Sequence, residues 1–154
     1  SLLFPEADIP VVMVSIDPGR DSRWHERLGA ALTPLRRKNV LVIGSGSISH
    51  NLRAVFSSRE SDGREWVEEF TNWLEEGVRL ADRERLLSAM ASAPSAARNH
   101  PTDEHLLPFF FALGAGGADG KGVRLHHSFT WNVLAMDVYA FGEPELVERL
   151  AAAN

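Results

Sequence analysis

The residues of this chain best suited to chemistry lie in three histidine-bearing segments. The first is Gly44-Ser45-Gly46-Ser47-Ile48-Ser49-His50-Asn51, which follows directly on the apolar, β-branched stretch Val40 to Ile43. In parallel α/β sheets, functional groups collect at the C-terminal ends of strands, where loops open into a crevice. A histidine there can exchange protons near neutral pH, as acid–base catalysis requires. A polar loop histidine, or one in the N-cap region of the next helix, fits the same position. Two other chemistries of this loop match poorly. Gly44-x-Gly46 is half of a dinucleotide fingerprint, but Ser49 stands where the third glycine belongs. The serines and glycines are also in the wrong order for a G-x-S-x-G nucleophile elbow.

The second segment is His100-Pro101-Thr102-Asp103-Glu104-His105-Leu106-Leu107-Pro108. Thr102 reads as the N-cap of a helix from Asp103 to Leu113, which puts His105 in the first turn, free to leave the helix end. Asp103 and Glu104 in that turn complement the positive end of the helix dipole. Pro108 deprives the Glu104 carbonyl of its usual helical donor. A capping segment with a partly buried histidine suits the same residues. The third segment is His126-His127-Ser128; adjacent histidines on a strand point to opposite faces, so at most one faces a pocket. His25, beside Trp24 on a helix, reads as a surface or packing residue, and Arg36-Arg37-Lys38 as a helix C-terminus.

These segments need positioning elements. Ile9 to Ile16 is continuously apolar, the pattern of a strand covered on both faces. Asp17-Pro18-Gly19 punctuates it, and Asp21 or Ser22 can cap a helix over about Arg23 to Lys38, kinked at Pro34. Its apolar face is Trp24, Leu28, Ala31, Leu32 and Leu35. Asn39 turns the chain into a second buried strand, Val40 to Ile43. Strand, helix, strand in this order predicts an α/β fold with a central, mostly parallel sheet flanked by helices. Trp66, Val67, Phe70, Trp73, Leu74 and Val78 recur at helical spacing between Arg64 and about Leu80, and Asp82 starts a short helix through Met90. Ala91 to Ala97 reads as a loop. Val123 to Phe129 and Asn132 to Phe141 are late strands, antiparallel or at an edge, and Glu143 to Ala153 is a terminal amphipathic helix.

Composition bounds the function. The 154 residues are 44% hydrophobic, enough for one core. Sixteen basic and 21 acidic residues, dispersed along the chain, lack the basic stripe of a nucleic-acid binder. No apolar run reaches the roughly 20 residues of a membrane span. Without cysteine there are no disulfides and no thiolate ligands, so any metal must be held by His, Asp or Glu; a cytoplasmic setting is consistent with this. Ser1 stands just ahead of a strong strand, with no basic leader and no initiator Met, which reads as a cut through a larger protein.

Taken together, the segments resemble the 4,5-DOPA extradiol dioxygenase group of the class III extradiol ring-cleavage dioxygenases. The matching stretches are Pro5-Glu6-Ala7-Asp8-Ile9-Pro10, Ser15-Ile16-Asp17, Trp24-His25 and Leu28-Gly29. They continue through Gly44-Ser45-Gly46, Ser49-His50-Asn51-Leu52-Arg53, Pro101-Thr102-x-Glu104-His105-x-Leu107-Pro108 and Leu113-Gly114-Ala115. The order holds from Ser1 to about Phe141, and the S-H-N-L-R and P-T-x-E-H-x-x-P segments are specific in combination. The resemblance implies extradiol cleavage of a catechol by O2 at a mononuclear Fe(II) site, sometimes occupied by zinc. It makes His50 the acid–base catalyst, close enough to contact the metal, and His105 a metal ligand. Glu104 is a weaker ligand candidate, and Asn51, His126 and His127 become pocket residues on the substrate side.

The family's two N-terminal histidine motifs, of the kind H-G-S-P and S-A-H-W, do not occur here. Residues 1–154 therefore read as the C-terminal part of one catalytic domain, inactive alone, with the remaining ligands on a missing segment or a partner chain. A nucleotide-binding oxidoreductase and a non-catalytic relative used for protein interaction are the competing classes. Two structural expectations follow. His50 and His105 should converge on one site, and Ile9 to Ile16 should present an exposed apolar patch where that segment or partner packs.

Overall fold

The computed structural model describes residues 5–6, 8–57 and 64–153. Asp21 caps the first helix, α1 (Ser22–Leu32), by accepting from the Trp24 N–H. Pro34 ends regular α-helix, and a 3₁₀ segment, Thr33–Lys38, carries the chain to Asn39, whose φ of 57° makes the turn. Short α2 (Leu52–Ser57) precedes the central helix, α3 (Arg64–Arg79). Asp82 caps α4 (Arg83–Leu87), as its position suggests. Residues read as a loop instead contribute to two further turns of helix, α5 (Ala89–Ser92) and α6 (Ala96–Asn99). Alanine is the best helix former, so an alanine-rich stretch next to a core folds readily into short helices.

The next helix, α7 (Leu107–Ala115), begins four residues later than Thr102 capping would place it. Proline lacks an N–H and clashes with the carbonyl four residues back, so it belongs in a first turn. Pro108 sets the helix start accordingly. Residues 103–106 form turns, with the Leu106 N–H donating to the Asp103 carbonyl at 2.8 Å.

The core gathers buried side chains of α3 and α7 into one cluster. Val67, Phe70, Leu74, Leu107 and Phe110 are all fully buried, joined by Trp66, Val78 and Leu86. β1 (Lys121–His126), β2 (Phe129–Thr130), β3 (Leu134–Ala135) and β4 (Val138–Gly142) follow, then α8 (Pro144–Ala152). β1 pairs antiparallel with β4, with an irregular register between Arg124 and His126, and β2 pairs antiparallel with β3.

Helix α1 crosses α7 through glycine. A Cβ at Gly29 would lie 1.9 Å from the Phe111 carbonyl oxygen, and one at Gly114 would lie 1.9 Å from that of Glu26. The residues of α1 that are buried are His25 and Gly29. Trp24, Leu28, Leu32 and Leu35 are only half-buried and Ala31 is exposed, because backbone proximity, not hydrophobicity, selects the contact face. Gly29→Ala raises intrinsic helix propensity by about 1 kcal/mol. Here the added methyl must push two backbones apart, so we expect net destabilisation of about 1–3 kcal/mol, read as a lower midpoint in chemical denaturation. An unchanged or higher midpoint would show that the helices do not cross this closely.

The predicted central parallel sheet is not seen among the described residues; the sheets there are small and antiparallel. Among the described residues, Ile9 to Ile16 and Val40 to Ile43 have no ladder partners. A strand is a pairing, and a β-branched run becomes one only when a neighbour takes its N–H and C=O groups. Val11, Val12 and Met13 are 80%, 86% and 92% exposed, and Leu41 is 72% exposed. The expected apolar patch is therefore present. No helix among the described residues is long and apolar enough to cross a membrane.

Candidate functional site

The loop after Ile43 lies directly on the start of α7. A Cβ at Gly44 would stand 2.2 Å from the Pro108 carbonyl oxygen, and one at Gly46 would stand 2.4 Å from that of His105. The Ser47 N–H donates to the same His105 carbonyl at 2.8 Å. The glycines thus let one backbone lie against another. This is a packing reason for the Gly-x-Gly pattern that needs no nucleotide.

That docking brings the two expected histidines together. The His50 and His105 rings stack with centroids 3.5 Å apart and planes 23° from parallel. Both are partly exposed. Glu104 Oε1 lies 3.7 Å from His105 Nε2 and accepts from the Thr102 hydroxyl at 3.0 Å, the role Thr102 takes in place of capping. Burial, and then the neighbouring His105 charge, push the His50 imidazole below its usual pKa, partly opposed by Glu104. Hydrogen bonding to its own backbone N–H and to Thr102 holds the Glu104 carboxyl below the usual range.

The ground beneath His50 is tightly tied. Ser49 is fully buried; its hydroxyl donates to the Val133 carbonyl at 2.9 Å and accepts from the Ala135 N–H at 2.8 Å. The His50 N–H donates to the Asn99 carbonyl at 2.9 Å, and His100 Nε2 lies 2.9 Å from the Ile48 carbonyl. No role for His100 or Asn99 follows from the sequence; only their tertiary contacts mark them. Burial pushes His100 down to about 4. The unfolded chain takes up this proton near pH 6.5 and the folded chain near 4, so stability is lost as pH falls through that window. We expect a loss on the order of 3 kcal/mol between pH 6.5 and 4. Denaturation midpoints across that range should fall in the native chain and fall less in His100→Gln; parallel curves would contradict it.

The remaining expected residues lie elsewhere. Asn51 is an N-cap for α2: its Nδ2 donates to the Arg98 carbonyl at 2.7 Å and its Oδ1 accepts from Ala54 N–H at 3.0 Å. His126 and His127 both border a cavity of about 590 Å³ between α3, β1 and α8, whose lining includes neither His50 nor His105. The strict alternation expected of them is broken because the register slips after Arg124 and β1 ends at His126. His127 Nδ1 lies 2.8 Å from Oδ1 of Asp137, whose side chain is fully buried and also pairs with Arg124. His25 is buried, its Nε2 accepting from the Asp17 N–H at 3.2 Å, a packing residue that ties the Asp17 turn to α1.

His50, His105 and Glu104 offer two imidazoles and a carboxylate, donor types that suit a first-row divalent metal such as Fe(II). Among the described residues no three His, Asp or Glu side chains are already gathered as a metal cluster. The chemistry of the set fits such an ion, and the number of ligands converging on one point does not yet complete its site.

With a mixed helix–strand fold and this histidine pair, the chain belongs to the LigB family, described as the catalytic LigB subunit of aromatic ring-opening dioxygenase, whose model matches residues 1–142. It is 36% identical over 141 residues to the 4,5-DOPA dioxygenase extradiol of Beta vulgaris, covering 91% of this chain and 52% of that protein. It is 33% identical over 157 residues to the dioxygenase tasH of Hapsidospora irregularis, covering 92% of this chain and 46% of that protein. A crystal structure of an uncharacterized protein from Escherichia coli K12 superposes with a TM-score of 0.76 at 26% identity, covering 90% of this chain and 58% of that one. The chain spans about half the length of the curated relatives it matches.

Proposed function

We propose that the whole protein cleaves a catechol-type ring by extradiol insertion of O2 at a mononuclear Fe(II) site, which zinc can also occupy. His105 is a metal ligand and His50 the acid–base group. The observation that carries this reading is the stacked pair His50–His105, built by a loop and a helix start 55 positions apart in sequence.

The stacking supports a division of labour. Imidazole lone pairs lie in the ring plane, so two face-to-face rings send theirs side by side and not toward one ion. One ring can ligate while the other stays free to move protons. His50 suits the second role because its lowered pKa leaves it neutral, and therefore able to accept a proton, at pH 7. It takes the proton of a catechol hydroxyl and later returns one to the opened product. Fe(II), when bound, supplies the one-electron chemistry that lets a closed-shell ring combine with O2. Glu104, adjacent to His105, is available to hold the His105 ring by hydrogen bonding or to supply a carboxylate ligand.

The exposed runs Ile9 to Ile16 and Val40 to Ile43 support a further part of the proposal. Another polypeptide segment or partner chain lies beside them, turning them into strands of a mostly parallel sheet and supplying the remaining ligands. Asn51, next to His50, stands on the substrate side of that assembly, whereas His126 and His127 line a cavity apart from the pair. The absence of cysteine is consistent with a cytoplasmic setting.

Oxygen uptake by the iron-loaded whole protein tests the proposal. Uptake with catechols and not with the matching monophenols is expected. A protein that binds iron and consumes no oxygen with any of a broad catechol set would refute it.

A further inference from the structure

We propose that His100 is a positioning residue, holding His50 in its stack on His105 through the backbone of the Ile48-Ser49-His50 turn. The catalytic half of this inference rests on the reading of His50 given above; the structural half stands without it.

His100 is 1% exposed and packs with its ring centroid 5.5 Å from that of the fully buried Phe70. Its Nε2 is 2.9 Å from the Ile48 carbonyl oxygen. A carbonyl only accepts, so Nε2 must carry the proton, leaving Nδ1 a buried lone pair with no hydrogen-bond partner among the described residues. One residue earlier, the Asn99 carbonyl takes the His50 N–H. Asn99 and His100 therefore grip the turn at both ends, at the Ile48 C=O and the His50 N–H. Ser49 between them is clamped by Val133 and Ala135.

The bracket is itself anchored. Asn99 Nδ2 donates to the Trp66 carbonyl at 3.1 Å and to the Ser95 carbonyl at 3.0 Å, tying the end of α6 to α3 and to the residue before its own start. The same segment runs on to His105, whose carbonyl receives the Ser47 N–H. Both partners of the stack are thus referenced to residues 99–105. An aromatic ring without nitrogen would occupy this space and bury no unpaired lone pair. Such a ring would leave the Ile48 carbonyl without its donor and free the turn that carries His50. The orphaned Nδ1 accompanies that donor in a neutral imidazole.

Two variants separate positioning from bulk packing. Phenylalanine keeps an aromatic ring, somewhat larger than imidazole, and loses the donor, whereas the glutamine amide nitrogen reaches the place of Nε2. Stacked imidazoles shift each other's ring protons upfield, so the carbon-bound proton signals of His50 and His105 report the stack without metal or substrate. In His100→Phe that upfield displacement should collapse, and turnover by the iron-loaded whole protein should fall on the order of 10²-fold, in kcat more than in KM. In His100→Gln both should be retained to within a few-fold. A retained displacement in His100→Phe, or equal loss in both variants, would overturn the proposal.

If His100→Phe does not fold, nitrogen chemical shifts in the native protein decide. Protonated Nε2 with bare Nδ1 supports the bracket, and the opposite tautomer refutes it. If the stack responds as expected while even the native iron-loaded protein opens no ring, the functional reading fails and the bracket stands.

Discussion

His50→Ala in the whole protein is expected to lower ring cleavage by on the order of 10²–10⁴-fold while iron content stays at the native level. The effect is this large because a positioned base acts on the bound catechol in the rate-determining steps, and nothing else at the stack replaces it. His105 is the nearest imidazole, but a ring committed to a metal has no free lone pair to accept a proton. The acid limb of the native rate profile should also fall below the ordinary histidine value of about 6.5, because burial and His105 disfavour the protonated His50 ring. Iron loss in His50→Ala equal to that of a ligand mutant would make His50 a ligand as well.

His105→Ala should do the reverse, emptying the site before chemistry begins. Loss of an outer partner of a metal ligand costs roughly 10–100-fold in affinity, and loss of a ligand itself should cost at least as much. Iron per protein after desalting is the measurement. Residual turnover in His105→Ala should scale with the iron retained, and added Fe(II) should recover part of it. Added Fe(II) should recover nothing in His50→Ala. Native iron content in His105→Ala would remove that residue from the metal site.

Local rules marked His50, just past an apolar β-branched run, and His105, next to a helix start, only as candidates; the family resemblance chose them, and the structure adds their stacking. The helix over Arg64–Arg79 was legible from its apolar spacing and the cap at Asp82 from its residue type, whereas the kink expected at Pro34 is a change from α to 3₁₀ helix. Local rules fail where a contact spans the chain. Nothing near Gly29 signals that it meets Phe111, and nothing near His100 signals the Ile48 carbonyl. Thr102 as a cap and Pro108 as a first-turn residue give different starts for α7, and the helix follows Pro108. The central sheet was inferred from apolar runs alone, and such runs state a need for neighbours without supplying them. Their exposure in Val11, Val12, Met13 and Leu41 is that need made visible.

The most direct test of the ring-opening account is the mass of the product formed under ¹⁸O₂ by the iron-loaded whole protein acting on a catechol. A ring-opened semialdehyde that gains both atoms of one O2 per catechol consumed is expected, with formation lost in His50→Ala at unchanged iron. A product lighter than the catechol by two hydrogens, the quinone of simple oxidation, would contradict it.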